Sequence, residues 1–168
     1  MPKIIENLKD RLLAEAKQQL AQGGYESVTI RSIAKGCGVG VGTVYNYFPS
    51  KEALIATHLL EDWHGCLEVI QAAAVASTVP QPVLQCMYEQ LVGFAGRHEA
   101  IFRTEAAASG FAGSFSRYHS LLRSQLATPL EKFCGDAFTA LFMAESLLTW
   151  TMAGKPFADI YEILKKLF

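Results

Sequence analysis

An all-α fold in two parts is predicted by three observations. Apolar residues recur at three- and four-residue steps along most of the chain, glycine and proline gather at the seams between those stretches, and no alternating run requires a strand. Residues 1–50 read as a small unit of three helices and residues 51–168 as a helical bundle, about nine helices in all.

Ile5, Leu8, Leu12, Ala16 and Leu20 give one apolar stripe, so the spacing predicts a helix over 4–22, ended by Gly23 and Gly24. Thr29 is suited to cap a short helix over 30–36, which Gly36-Cys37-Gly38 breaks. A third short helix is expected over about 40–47, stopping before Pro49. Ser50 caps a long helix to about Ala76, with Glu52 near the positive end of its dipole. A loop at 77–82 precedes helices over 83–97 and 99–108. A break at 109–113 then leads to a helix over 114–126. Thr128-Pro129-Leu130-Glu131 has the form of a capping box with proline at the first helical position, so the penultimate helix begins either there or, after Gly135, at Asp136. It ends at Gly154, and Lys155-Pro156 opens a last helix whose Phe157, Ile160, Tyr161, Leu164 and Leu167 form one stripe.

The chain has 168 residues, 51% of them hydrophobic, enough for a substantial core. Mean hydropathy is high at +0.19, yet no uninterrupted apolar run approaches the roughly 18–20 residues of a membrane helix. The excess apolar surface is therefore expected on buried faces or at a subunit contact. Glu6, Lys9, Asp10 and Arg11 interrupt the plan of a secretory leader, so a cytoplasmic location without a membrane partner is expected. Cys37, Cys66, Cys86 and Cys134 form no CxxC pair and read as small hydrophobes of a reducing compartment. Net charge is −1, but residues 1–51 hold seven Lys and Arg against four Asp and Glu, which leaves the remainder acidic. A basic head on an acidic body suits a nucleic-acid reader.

Residues 29–54 carry the strongest signal. Two short helices joined by a tight glycine turn are the plan that sets a helix into the DNA major groove. Ile30, Ile33, Ala34, Val39, Val44 and Phe48 supply a small core, while Thr29, Arg31, Thr43, Tyr45, Asn46, Tyr47 and Lys51 offer hydroxyl, amide and cationic groups on the other face. Ile33-Ala34, Gly38-Val39, Gly42-Thr43, Tyr45, Tyr47-Phe48, Ser50-Lys51 and Leu54 stand in an order that closely resembles the helix-turn-helix of the TetR family. The matched block covers residues 4–54, about a third of the chain. The resemblance implies that Thr29, Thr43, Tyr45, Tyr47 and Lys51 hold phosphates, with Arg31 on the same face, and that Gly42, Thr43, Tyr45 and Asn46 lie nearest the bases. Gly40 and Val41 depart from the family, which often has Ser followed by Lys or Arg there. Modest affinity and a shallow salt dependence are expected in consequence.

For the rest of the chain, the resemblance implies an effector-binding and dimerising domain over 51–168, in an all-α protein that represses from a palindromic operator. Trp63, Tyr88, Phe94, Phe102, Phe115, Tyr118 and His119 would line a pocket for a small apolar or aromatic effector, although bundle core is the commoner role for any one such aromatic. Phe138, Leu141, Phe142, Leu148 and Met152 on one helix, with Phe157, Ile160, Tyr161 and Leu164 on the next, would form a homodimer interface, since one subunit's core does not readily absorb both stripes. No cofactor, metal or catalytic site is expected. Glu61-x-x-His64 lacks the second Glu-x-x-His of a di-iron pair, and no phosphate loop, nucleophile elbow or His-Glu-x-x-His motif occurs. A rival reading is a TetR-shaped adaptor that binds another protein and touches DNA weakly or not at all.

Overall fold

A computed structural model of the chain describes residues 7–105, 109–110 and 115–168. Among these residues there are nine α-helices and no strand. They are α1 (Leu8–Ser27), α2 (Ile30–Cys37), α3 (Val41–Tyr45), α4 (Lys51–Ala76), α5 (Pro80–Arg97), α6 (Glu99–Phe102), α7 (Phe115–Ala127), α8 (Ala137–Met152) and α9 (Phe157–Leu164). Two compact units are formed, one from segments 1–61 and 98–112, the other from 62–97 and 113–168.

The first unit is built on the apolar stripe of α1. Leu12, Ala16, Ile33, Val44 and Leu54 are buried in one cluster with Tyr25, Phe48 and Ile101. The expected break at Gly23-Gly24 is found at Gly24, whose φ 70 and ψ −174 are non-helical; a further short helical stretch follows it to Ser27. A side chain at that positive φ would be strained, so glycine is the residue that lets the regular helix stop there and the chain turn. Thr29 caps α2 in a reciprocal box, its hydroxyl accepting from the Ser32 N–H at 2.9 Å while Ser32 Oγ accepts from the Thr29 N–H at 2.9 Å. Gly38, at φ 67, closes α2 and sends its N–H back to the carbonyls of Ala34 and Lys35. The guanidinium of Arg11 donates to the Cys37 carbonyl at 3.0 Å, tying α1 to the end of α2.

Ser50 caps α4, its hydroxyl accepting from the Ala53 N–H at 3.1 Å. The Tyr25 hydroxyl donates to Glu52 Oε1 at 3.3 Å. Hydrogen bonding to its own backbone N–H, and then to Ser50 and Tyr25, holds the Glu52 carboxyl below its ordinary range. Burial, with help from the Glu52 charge and hydrogen bond, pushes the Tyr25 phenol up to about 12. Of the break expected at 109–113, residues 109 and 110 are helical, while 111–113 lie outside the described residues.

The second unit packs Trp63, Cys66 and Ile70 of α4 with Val83, Leu84 and Met87 of α5, Leu126, Leu130, and Met143 and Leu147 of α8. Lys132 Nζ closes the end of α4, donating to the Ala74 and Ser77 carbonyls. Arg97 clasps Asp62 through Nε at 3.1 Å and Nη2 at 3.0 Å. Thr128–Phe133 is a 3-10 turn in which the Thr128 hydroxyl donates back to the Ser124 carbonyl at 3.2 Å. The penultimate helix starts instead after Asp136, whose carboxylate accepts from the Thr139 N–H at 2.9 Å. All four cysteines are free, Cys37 and Cys66 buried and Cys86 and Cys134 half-buried, and burial raises the pKa of every one. None of the described helices is long and apolar enough to cross a membrane.

Two predictions follow from these contacts. Asp136→Ala should cost about 1 kcal/mol in chemical denaturation, a lost N-cap, whereas Thr128→Ala should cost much less; equal costs would return the helix start to Thr128. The folded state holds the Tyr25 proton above the unfolded value of 10.0, so its contribution to stability is whole below pH 10 and is lost as pH climbs toward about 12. Tyrosinate absorbance should show one late phase that Tyr25→Phe removes.

Candidate nucleic-acid interface

The outward face of α2 and α3 is what remains after the small core is satisfied. Ile33 and Val44 are fully buried and Phe48 closes the cluster behind them. Arg31, Gly42, Tyr45, Asn46 and Tyr47 are left exposed, as is Thr29; Thr43 and Lys51 are half-buried. Tyr45 is 51% exposed and Tyr47 45%, unusual for large aromatic rings with a core beside them.

Thr29, Arg31, Tyr45 and Lys51 meet around one open depression of about 410 Å³, which Val28, Ile30 and Val41 also line. Gly42, Thr43, Asn46 and Tyr47 lie outside that lining. Lys51 holds its ammonium 3.8 Å from the centroid of the Tyr25 ring, a cation–π contact. Burial pulls its pKa below the ordinary lysine value, against the opposing charges of Glu52 and Glu26. Sequence reasoning missed the seat that Tyr25 gives Lys51, since ring and ammonium are distant in sequence. It also missed Val41, whose only signal was a branched apolar side chain between two glycines.

Of the expected effector residues, Trp63, Phe94 and Tyr88 join one core cluster. Trp63 is buried, its indole N–H donating to Gln125 at 2.9 Å and its ring packing edge-on to Phe94 at 5.4 Å, so both rings fill core. Tyr88 packs on Phe157 at 5.6 Å. Phe102 is exposed and belongs to the first unit, Tyr118 is half-buried, and the side chain of Phe115 lies outside the described residues. His119 stands 3.5 Å from Glu145, which Arg123 approaches at 3.7 Å. Tyr88 alone of the set borders a shallow groove of about 250 Å³, with Leu91, Val92, Ala95, Thr151, Met152 and Gly154. That is smaller than the ~300–1,000 Å³ usual for ligand sites.

The expected dimer face divides. On α8, Phe138, Leu141, Phe142 and Met152 are exposed, Phe138 at 74%. Leu148, Ile160 and Leu164 are buried in their own chain's core, with Phe157 and Tyr161 packed against it. The Tyr161 hydroxyl also donates to Gln81 at 3.2 Å. The last helix turns its stripe inward because α5 and α8 offer it a matching apolar surface, whereas the α8 stripe stays exposed among the described residues.

Residues 12–57 match the family model described as bacterial regulatory proteins, tetR family. The helix-turn-helix transcriptional regulator UidR of Escherichia coli K12 is 37% identical over 59 residues, which are 35% of this chain and 30% of UidR. The chain thus spans less than a third of that relative's length. Among solved structures, SCO7518 of Streptomyces coelicolor A3(2) superposes with a TM-score of 0.70 at 18% identity, over 95% of this chain and 96% of that one. FadR of Thermus thermophilus, a TetR-family transcriptional repressor in complex with lauroyl-CoA, gives 0.65 at 20% identity over 95% and 92%. At such identities the likeness concerns the fold. Residues 12–57 thus carry a helix-turn-helix of the TetR type, and the chain as a whole shares its fold with these regulators.

Proposed function

We propose that this chain is a DNA-binding transcriptional regulator that represses from a palindromic operator as a homodimer and is released by a small effector. The observation that carries the reading is the open depression ringed by Thr29, Arg31, Tyr45 and Lys51. It groups hydroxyl, aromatic and cationic groups on the face that the buried side of α2 and α3 turns outward. Arg31 and Lys51 suit phosphate oxygens, as do the hydroxyls of Thr29 and Thr43, while Gly42, Asn46 and Tyr45 suit base edges, with Tyr47 beside them. In this reading residues 1–50 read DNA and 51–168 bind effector and partner, within the cytoplasm. The exposed α8 face of Phe138, Leu141, Phe142 and Met152 supports pairing with a second copy, the commonest way to cover such a face. Two heads would then meet successive major grooves about 34–36 Å apart. The lauroyl-CoA bound by Thermus thermophilus FadR supports an apolar effector. Any effector must bind the DNA-competent and released forms unequally, and α4, which begins in the helix-turn-helix unit and ends in the other, is the covalent link for that coupling.

Gel shifts of genomic fragments at two salt concentrations test the reading. A specific fragment should be retained with a shallow salt slope. Tyr45→Ala and Lys51→Gln should each weaken binding by about tenfold, the second also lowering the slope by about one charge. No retardation at either salt would make the chain a TetR-shaped adaptor. Sedimentation should find a dimer that Phe138→Glu with Phe142→Glu converts to single subunits unable to hold the palindrome; a wild-type monomer would overturn the pairing.

A further inference from the structure

We infer that Val41 reads a thymine, its isopropyl group packing on the C5 methyl of that base in each half-site. This deepens the DNA-binding reading and rests on it. Val41 is 39% exposed, although it sits one turn from the fully buried Val44. The core already has its α3 anchor in Val44, so Val41 has no interior task. It is nonetheless part of the lining of the depression that Thr29, Arg31, Tyr45 and Lys51 surround. The other aliphatic residues of that lining, Val28 and Ile30, are buried. Val41 is therefore the aliphatic group the depression presents outward.

The flanking glycines sharpen the point. A Cβ on Gly42 would meet nothing within 4 Å, and one on Gly40 would meet only Thr43 Oγ1 at an ordinary 3.7 Å. Neither glycine adopts a positive φ. The fold thus requires glycine at neither position, and their effect is that no side chain flanks Val41 from either neighbouring position.

The chemistry of the groove then selects the partner. Base edges in the major groove are donors and acceptors with one aliphatic exception, the thymine methyl. A branched aliphatic side chain that desolvates an acceptor or an amino group there gains nothing in return, whereas against a methyl it removes two apolar surfaces from water. Val41 accordingly favours thymine by contact and disfavours cytosine, which has only a hydrogen at C5 and a polar amino group where thymine carries O4.

Substitution of deoxyuridine for thymine deletes that methyl and keeps the pairing. With the full chain and its recovered duplex, each thymine is replaced in turn, and affinity is measured by fluorescence anisotropy for wild type and Val41→Ala. One thymine per half-site should be sensitive, its replacement weakening wild type by about fourfold, the value of one buried methyl group. Val41→Ala should bind the thymine and uracil duplexes equally, with an unchanged helical circular dichroism spectrum. Indifference of wild type to every replacement, or a variant as sensitive as wild type, overturns the role of Val41 while leaving DNA binding intact. A chain that retains no duplex at all overturns the parent reading.

Discussion

The helix-turn-helix depends on the burial of Ile33, Val44 and Phe48 against α1. An eight-residue helix and a five-residue helix do not persist alone in water, because each must repay its nucleation with few hydrogen bonds. Here α2 is held by its Thr29–Ser32 cap, the Gly38 closure and the Arg11 bond to its last carbonyl. The shorter α3 has little more than Val44 and the following Phe48. That economy has a consequence. With one of its five residues buried, α3 is free to give its other positions to a ligand, and its orientation is set entirely by what α2 and α1 do.

What the sequence disclosed follows from how local each signal is. Caps and closures are decided within a few residues, so Thr29, Ser50, Gly38 and the core role of Phe48 were all legible. The start of α8 was not, since Thr128-Pro129 and Asp136 present comparable local chemistry; the Thr128 hydroxyl turned back to the Ser124 carbonyl and left the cap to Asp136. Gly23-Gly24 marks the stop as read, with Gly24 at φ 70 and non-helical; the short helical stretch to Ser27 beyond it was not legible, since it is the burial of Tyr25 that draws the chain back to the core. The outward grouping of Thr29, Arg31, Tyr45 and Lys51 was legible as a face. The place of Val41 within it was not, for a motif comparison registers an apolar residue there only as a missing charge.

The C-terminal helices mark the limit of periodicity. A stripe shows which face avoids water but not what covers it. The stripe of α9 found its cover within the same chain, while α8 is apolar on two faces, one packed through Met143 and Leu147 and the other open at Phe138 and Phe142. A helix hydrophobic on both sides belongs inside something larger. On α9 the outward apolar residue is Ile163, followed by Leu167 and Phe168, all exposed. If this helix adds to a subunit contact, it does so by the side opposite the stripe that its sequence advertises.

The electrostatics of the head point the same way as its shape. Its excess of basic residues overstates the charge available for phosphate. Arg11 is engaged with the Cys37 carbonyl, and Lys51 is seated on Tyr25 beside the Glu52 carboxylate. Counterion release scales with the phosphates neutralised, so in the DNA-binding reading these two engaged cations would leave less of the binding to charge than the head's basic count implies. More must then come from surfaces that fit: the exposed rings of Tyr45 and Tyr47, the bare backbone at Gly42 and the aliphatic group of Val41. Such contacts are short-ranged and unforgiving of the wrong base. In the proposed function, a helix-turn-helix of this composition would trade general attraction to DNA for discrimination among its sequences.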